Sequence, residues 1–174
     1  MPSQSASGGL TVAIWGVGLI GGSLGLGWRA ASAGAGRSGV AGTETAGTGV
    51  SSAGPAAPRL RILGVDEPAV LDRALARGAI DAPASPAEAI RTAQLHVLAA
   101  PVGVILSLAD EIGARLPPGA VVTDVGSTKA EIVARWNERL APGAAFVGGH
   151  PLFGREVSGI DAADPGLVRG AYWF

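Results

Sequence analysis

Cysteine is absent from this chain, which excludes a disulfide framework, a thiolate nucleophile and any thiolate-held metal. Charge is scarce as well. Charged residues make up 16% of the 174 positions and the formal net charge is −1, so there is no single-sign field to hold nucleic acid or an anionic membrane surface. Long hydrophobic runs are missing too. The longest nearly apolar stretch, Val97 to Ala109, contains Pro101 and Ser107 and is too short to span a bilayer. Residues 1–9 lack the basic and apolar regions of a signal peptide and are expected to form a disordered lead-in. Together these absences point to a soluble, cytoplasmic protein, and no metal site is assigned.

Glycine, by contrast, is plentiful at 28 residues, and one group of glycines is ordered. The β-rich run Thr11-Val-Ala-Ile-Trp15 leads into Gly16-Val17-Gly18-Leu19-Ile20-Gly21, and a helix is expected from Leu19 to about Ala31. A strand, a G-x-G-x-x-G turn and a helix, in that order, form the dinucleotide-binding fingerprint. Gly16 allows the sharp turn off the strand. Gly18 puts no Cβ between the backbone and a pyrophosphate, and Gly21 lets the helix pack closely. The helix N-terminus offers unpaired N–H groups and a positive dipole end to phosphates.

From about Ser32 to Pro58 the chain is almost entirely Ala, Gly, Ser, Thr and Pro, with only Arg37 and Glu44 charged. Such a stretch has no apolar period and reads as a flexible insertion within one domain spanning 10–174. Leu60 to Asp66 is a second strand ending in an acid. In the fingerprint an acid about 20 residues on accepts hydrogen bonds from the ribose. Asp66 follows Gly21 by 45 positions, and removing an insert of about 25 residues restores the spacing. A carboxylate there repels a 2′-phosphate, so Asp66 favours NAD over NADP.

Further on, a helix is expected over Glu67 to Gly78, and another opens at Ser85-Pro86 with Ser85 as its N-cap. The strand Leu95 to Ala100 ends at Pro101, which places Ala100 and Pro101 at the cofactor edge of the sheet. His96, at the strand's other end, reads as a structural or surface residue. A helix over Val102 to about Leu116, a strand over Ala120–Asp124, a helix over Lys129 to Leu140 and a strand over Ala145–Val147 complete the rhythm. The fold class is α/β, a doubly wound, Rossmann-like parallel sheet.

Two loops at carboxyl strand ends carry polar groups that a core does not need. They are Gly126-Ser127-Thr128-Lys129 and Gly148-Gly-His150-Pro151-Leu-Phe-Gly154-Arg155-Glu156-x-Ser158-Gly159. In this architecture both open on the same edge as the glycine turn. His150 is then the imidazole available beside a nicotinamide, suited to removing an alcohol proton as hydride leaves. Ser127 is expected either to orient that imidazole or to share a substrate hydroxyl with it.

The set Gly16-x-Gly-Leu-Ile-Gly-Gly-Ser, Asp124-x-Gly-Ser-x-Lys129 and Gly148-Gly-His-Pro-x-x-Gly-x-Glu-x-Ser-Gly159 resembles the prephenate/arogenate dehydrogenase family of tyrosine biosynthesis. The third motif is the specific one. The resemblance implies oxidative decarboxylation of prephenate to 4-hydroxyphenylpyruvate with NAD as hydride acceptor, arogenate being the alternative substrate. It implies catalytic roles for His150 and Ser127 at the substrate hydroxyl, and places Glu156 at the active-site rim. Cofactor contacts fall on Gly16, Val17, Gly18, Leu19, Ile20, Gly21, Asp66, Ala100, Pro101 and Gly126. The resemblance further implies that Ala171-Tyr-Trp-Phe174 lies in a strand leading to a C-terminal helical domain. In the family that domain supplies basic residues for the substrate carboxylates and a homodimer interface. A chain of this extent is expected to bind NAD weakly and to turn over poorly alone. A non-catalytic NAD-sensing module is the reading from a different class.

Overall fold

A computed structural model describes residues 9–35 and 59–174. Six strands form one sheet: β1 (Leu10–Trp15), β2 (Leu60–Val65), β3 (Ala82–Pro83), β4 (Leu95–Leu98), β5 (Val121–Asp124) and β6 (Ala145–Val147). Their spatial order is β3-β2-β1-β4-β5-β6, and every neighbouring pair is parallel. This is the Rossmann order, with its reversal between β1 and β4.

Parallel strands are covered on both faces, and the side chains of β1 alternate accordingly. Val12 and Ile14 join one core with Leu24 of α1 (Leu19–Ala35) and Leu71 of α2 (Pro68–Ala76). Ala13 and Trp15 join the other, which draws on α3 (Pro86–Thr92), α4 (Val102–Ile112) and α5 (Ala130–Arg139). In α5 the buried indole of Trp136 donates to the Ile105 carbonyl at 3.1 Å and stacks on Phe146.

Ser85 caps α3 as its sequence predicts, accepting the Glu88 N–H at 3.2 Å. Three results differ from expectation. First, α1 continues to Ala35, four residues into the stretch read as insertion. Ala31, Ala33 and Ala35 favour helix more than a low-complexity reading allows; the rest of the predicted insertion, and the lead-in up to Gly8, lie outside the described residues. Second, α4 stops at Ile112 and tightens into a 3₁₀ turn over Gly113–Arg115, and β4 ends at Leu98, before Ala100. Third, the edge strand β3 was not expected, its two residues being too few to show a period. At the other end of the chain, Tyr172–Phe174 run antiparallel to residues 150–152 through a Pro151–Trp173 bridge.

Candidate functional site

The register puts β2 directly beside β1, with Leu10 opposite Leu60 and Trp15 opposite Val65. Asp66 therefore emerges next to the glycine turn, whatever the length of chain between α1 and β2. Its Oδ2 accepts the Val17 N–H at 2.6 Å, and its Oδ1 accepts the Glu67 N–H at 2.7 Å. The turn itself has the mechanics its sequence predicts. Gly16 sits at φ 92°, a conformation that disfavours a side chain. A Cβ on Gly21 would overlap the Gly16 carbonyl and press on Ile14 of β1. Around Gly18, nothing lies within 4 Å of where a Cβ would be, so this backbone faces open space.

That space is a cleft of about 570 Å³ at the carboxyl ends of β2, β1 and β4, walled by Trp15, Gly16, Gly18, Asp66, Ala100 and Pro101 among others. A second cleft, about 520 Å³, is lined by Leu19, Ile20, Gly126, Ser127, His150 and Arg155 among others. The two share Gly18, Ala99, Ala100 and Pro101, so one ligand can pass over the glycine turn from either side. The acid on one flank, the unobstructed backbone at the centre and the helix N-terminus together fit a dinucleotide.

Not every predicted contact lines this surface. The Val17 side chain is buried, leaving its N–H to fix Asp66, and Gly21 works beneath the turn. His150 and Ser127 face the same cleft but are not hydrogen-bonded to each other. The two groups can meet at a shared ligand, which is the second of the two roles expected of Ser127. Glu156 is exposed and does not line the cleft, whereas Arg155, Val157 and Ser158 do. The Arg155 guanidinium pairs with Asp164 at 2.8 Å, and Asp164 is held below the usual carboxylate range by the Gly166 N–H and by this arginine.

His96 is structural and fully buried. The Trp15 indole N–H donates to its Nδ1 at 3.2 Å, while Nε2 has no hydrogen-bond partner. Burial lowers its pKa to about 4, and the Ala93 backbone offsets only part of that effect. Imidazole in this position stays neutral near pH 7.

Sequence reasoning assigned no role to Asp124 and Lys129, although both stand in the quoted motif. Asp124 is fully buried at the end of β5. Its carboxylate accepts the Gly126 N–H at 2.8 Å and the Gly149 N–H at 3.1 Å. Lys129 Nζ donates to the same carboxylate and, at 2.7 Å, to the Gly149 carbonyl. The signal available was the pairing of a strand-end acid with a lysine five positions on. Arg155 was equally visible, but nothing in the spacing tells that it and not Glu156 lines the cleft.

Fold and site define a dinucleotide-binding domain of the dehydrogenase type. More narrowly, the chain belongs to the prephenate dehydrogenase family, since residues 55–174 match the family model described as "Prephenate dehydrogenase, nucleotide-binding domain". A prephenate dehydrogenase of Lactococcus lactis subsp. cremoris is 38% identical over 118 residues, covering 67% of this chain and 33% of that protein. The crystal structure of prephenate dehydrogenase from A. aeolicus, in complex with hydroxyphenyl propionate and NAD+, superposes with a TM-score of 0.71 at 28% identity. It covers 98% of this chain and 51% of that one. Synechocystis arogenate dehydrogenase gives 0.70 at 26% identity, covering 94% and 49%. The chain thus spans about a third of the curated relative's length and about half of each solved chain.

Proposed function

We propose that this chain is the NAD-binding portion of a prephenate dehydrogenase, working in the cytoplasm in tyrosine biosynthesis as part of a homodimer. The assigned reaction converts prephenate and NAD⁺ to 4-hydroxyphenylpyruvate, carbon dioxide and NADH. The observation that carries this reading is the continuity of the two clefts, with Asp66 at one end and His150 and Ser127 at the other. NAD, when bound, supplies the hydride acceptor. His150 takes the proton of the C4 hydroxyl and returns it to the same oxygen once the ring is aromatic, while Ser127 holds that oxygen. As the C4–H pair leaves as hydride, the ring carboxylate departs as carbon dioxide and the ring becomes aromatic. Much of the driving force therefore belongs to the substrate, and the protein contributes mainly position and a base. Arg155 lines the same cleft with its guanidinium paired to Asp164.

In the intact protein, His150→Asn is expected to lower kcat by about 10²- to 10⁴-fold with NAD affinity unchanged. Near-normal kcat in that variant would remove His150 from the reaction. Arogenate is the second reading, since the chain superposes about equally on an arogenate dehydrogenase, at 0.70, and on a prephenate dehydrogenase, at 0.71. Comparing kcat/KM for prephenate and arogenate separates the two. Binding of NAD with no turnover of either would leave the sensing module.

A further inference from the structure

His150 sits on a loop, and loops are ordinarily the least rigid parts of a fold. This one is tied down at consecutive backbone groups. The Gly149 N–H is taken by Asp124 and the Gly149 carbonyl by Lys129. The next N–H, that of His150, donates to the Phe174 carbonyl at 2.6 Å, and the His150 carbonyl accepts the Phe174 N–H at 3.1 Å. The Asp124 carboxylate also holds Gly126, the residue before Ser127. One ion pair, its carboxylate fully buried and its lysine partly so, therefore grips the loop of the proposed base and the loop of the proposed hydroxyl partner at once. Neither Asp124 nor Lys129 lines either cleft.

We propose that the Asp124–Lys129 pair is a positioning device that sets His150 and Ser127 at their mutual spacing across the substrate cleft. The kinetic part of this proposal rests on the catalytic reading of His150 given above. The physical case is that a buried carboxylate is expensive to keep ionised unless its partners are complete. Here they are a lysine and two N–H groups, and each partner on the protein backbone belongs to a site loop. A surface pair of the same composition would leave those loops free. Lys129 has a second role in satisfying the Gly149 carbonyl, so a neutral replacement releases that peptide as well as exposing Asp124 to unpaired burial.

The test compares Lys129→Met, Lys129→Gln and Lys129→Arg in the intact protein. Lys129→Gln keeps donors without charge and serves where Lys129→Met does not fold. Expected is a kcat loss of about 10- to 100-fold in the neutral variants, the scale on which small misplacements act. The dissociation constant for NAD should stay within about 3-fold, and Lys129→Arg should recover most of kcat. Amide hydrogen exchange at Gly149 and His150 should accelerate by about tenfold or more in the neutral variants and return in Lys129→Arg. Unchanged exchange at those amides would overturn the proposal. So would a kcat loss that Lys129→Arg does not repair and that NAD affinity follows. If the unsubstituted protein does not turn over prephenate, the functional reading fails, and the exchange measurement alone then decides the clamp.

Discussion

Asp66 holds the glycine turn with one carboxylate oxygen and the start of α2 with the other. A carboxylate has about four acceptor positions, so ribose hydroxyls can still bind. Its two tasks, anchoring and recognition, separate in substitutions. Asp66→Ala should weaken NAD binding and narrow the preference over NADP. Asp66→Asn, which keeps an acceptor for Val17 but not the charge, should retain more affinity while narrowing the preference equally. Fluorescence titration with both nucleotides measures this, and unchanged selectivity would show that another group reads the ribose. His96 gives a second prediction at this scale. Its pKa falls from 6.5 to about 4 on folding, so the unfolded chain binds the proton more readily. Stability from this group is present above pH 6.5 and is lost as pH falls toward 4, by up to about 3 kcal/mol. Urea midpoints across that range should decline less steeply for His96→Gln, and identical slopes would exclude His96 as the source. The sequence placed His96 away from the site correctly. That it is buried, with Nδ1 spent on Trp15, depends on a neighbour 81 positions away.

Helix α1 shows how an element can be legible in kind and not in extent. The glycine turn, its strand and the start of the helix were all readable, because each glycine answers a local backbone demand. The helix end was not, since alanine-rich helix and alanine-rich loop look alike in composition. The glycines inside α1 have a tertiary cause. A Cβ on Gly25 would overlap the Ala79 carbonyl, and one on Gly22 would strike Ile160. At Gly21, as at Gly25, the obstacle is a backbone carbonyl, and at Gly21 it belongs to the nucleotide turn itself. Gly21→Ala should push α1 off β1, lower stability by about 1–3 kcal/mol and weaken NAD binding with it. Calorimetry and nucleotide titration on one sample check both, and a normal melting temperature would refute the packing argument. The motif loops were legible as loops. That Arg155 and not Glu156 lines the cleft was not, since a loop has no period from which to read direction.

At the scale of the molecule, the family match begins at residue 55, beyond the glycine motif. The fold supplies the join, because β2 pairs with β1 along its whole length. A linker of any length can leave such a register untouched, as closure entropy rises only slowly with loop size. Among the described residues no helix is long and apolar enough to cross a membrane. The chain spans about a third of its curated relative, and the cleft lined by Ser127 and His150 has one cation among the described residues, Arg155, paired with Asp164. Under the proposed function the 174 residues alone should bind NAD weakly and turn over prephenate slowly. Calorimetric titration with NAD and absorbance of NADH test this, and full turnover by the chain alone would contradict it.

The amino-acid order by itself determined the alternation of strands and helices, the nucleotide turn, the acid at the end of β2 and the two polar loops. Each is written in local terms, as a hydrophobic period, a cap or a glycine that backbone geometry requires. Only the tertiary structure decided that Asp66 meets the turn across the intervening chain, that Ser127 and His150 line one cleft, and that Asp124 and Lys129 bind their loops together. Those are contacts between residues distant along the chain, and they exist because packing two faces of one sheet brings the strand ends to a common edge.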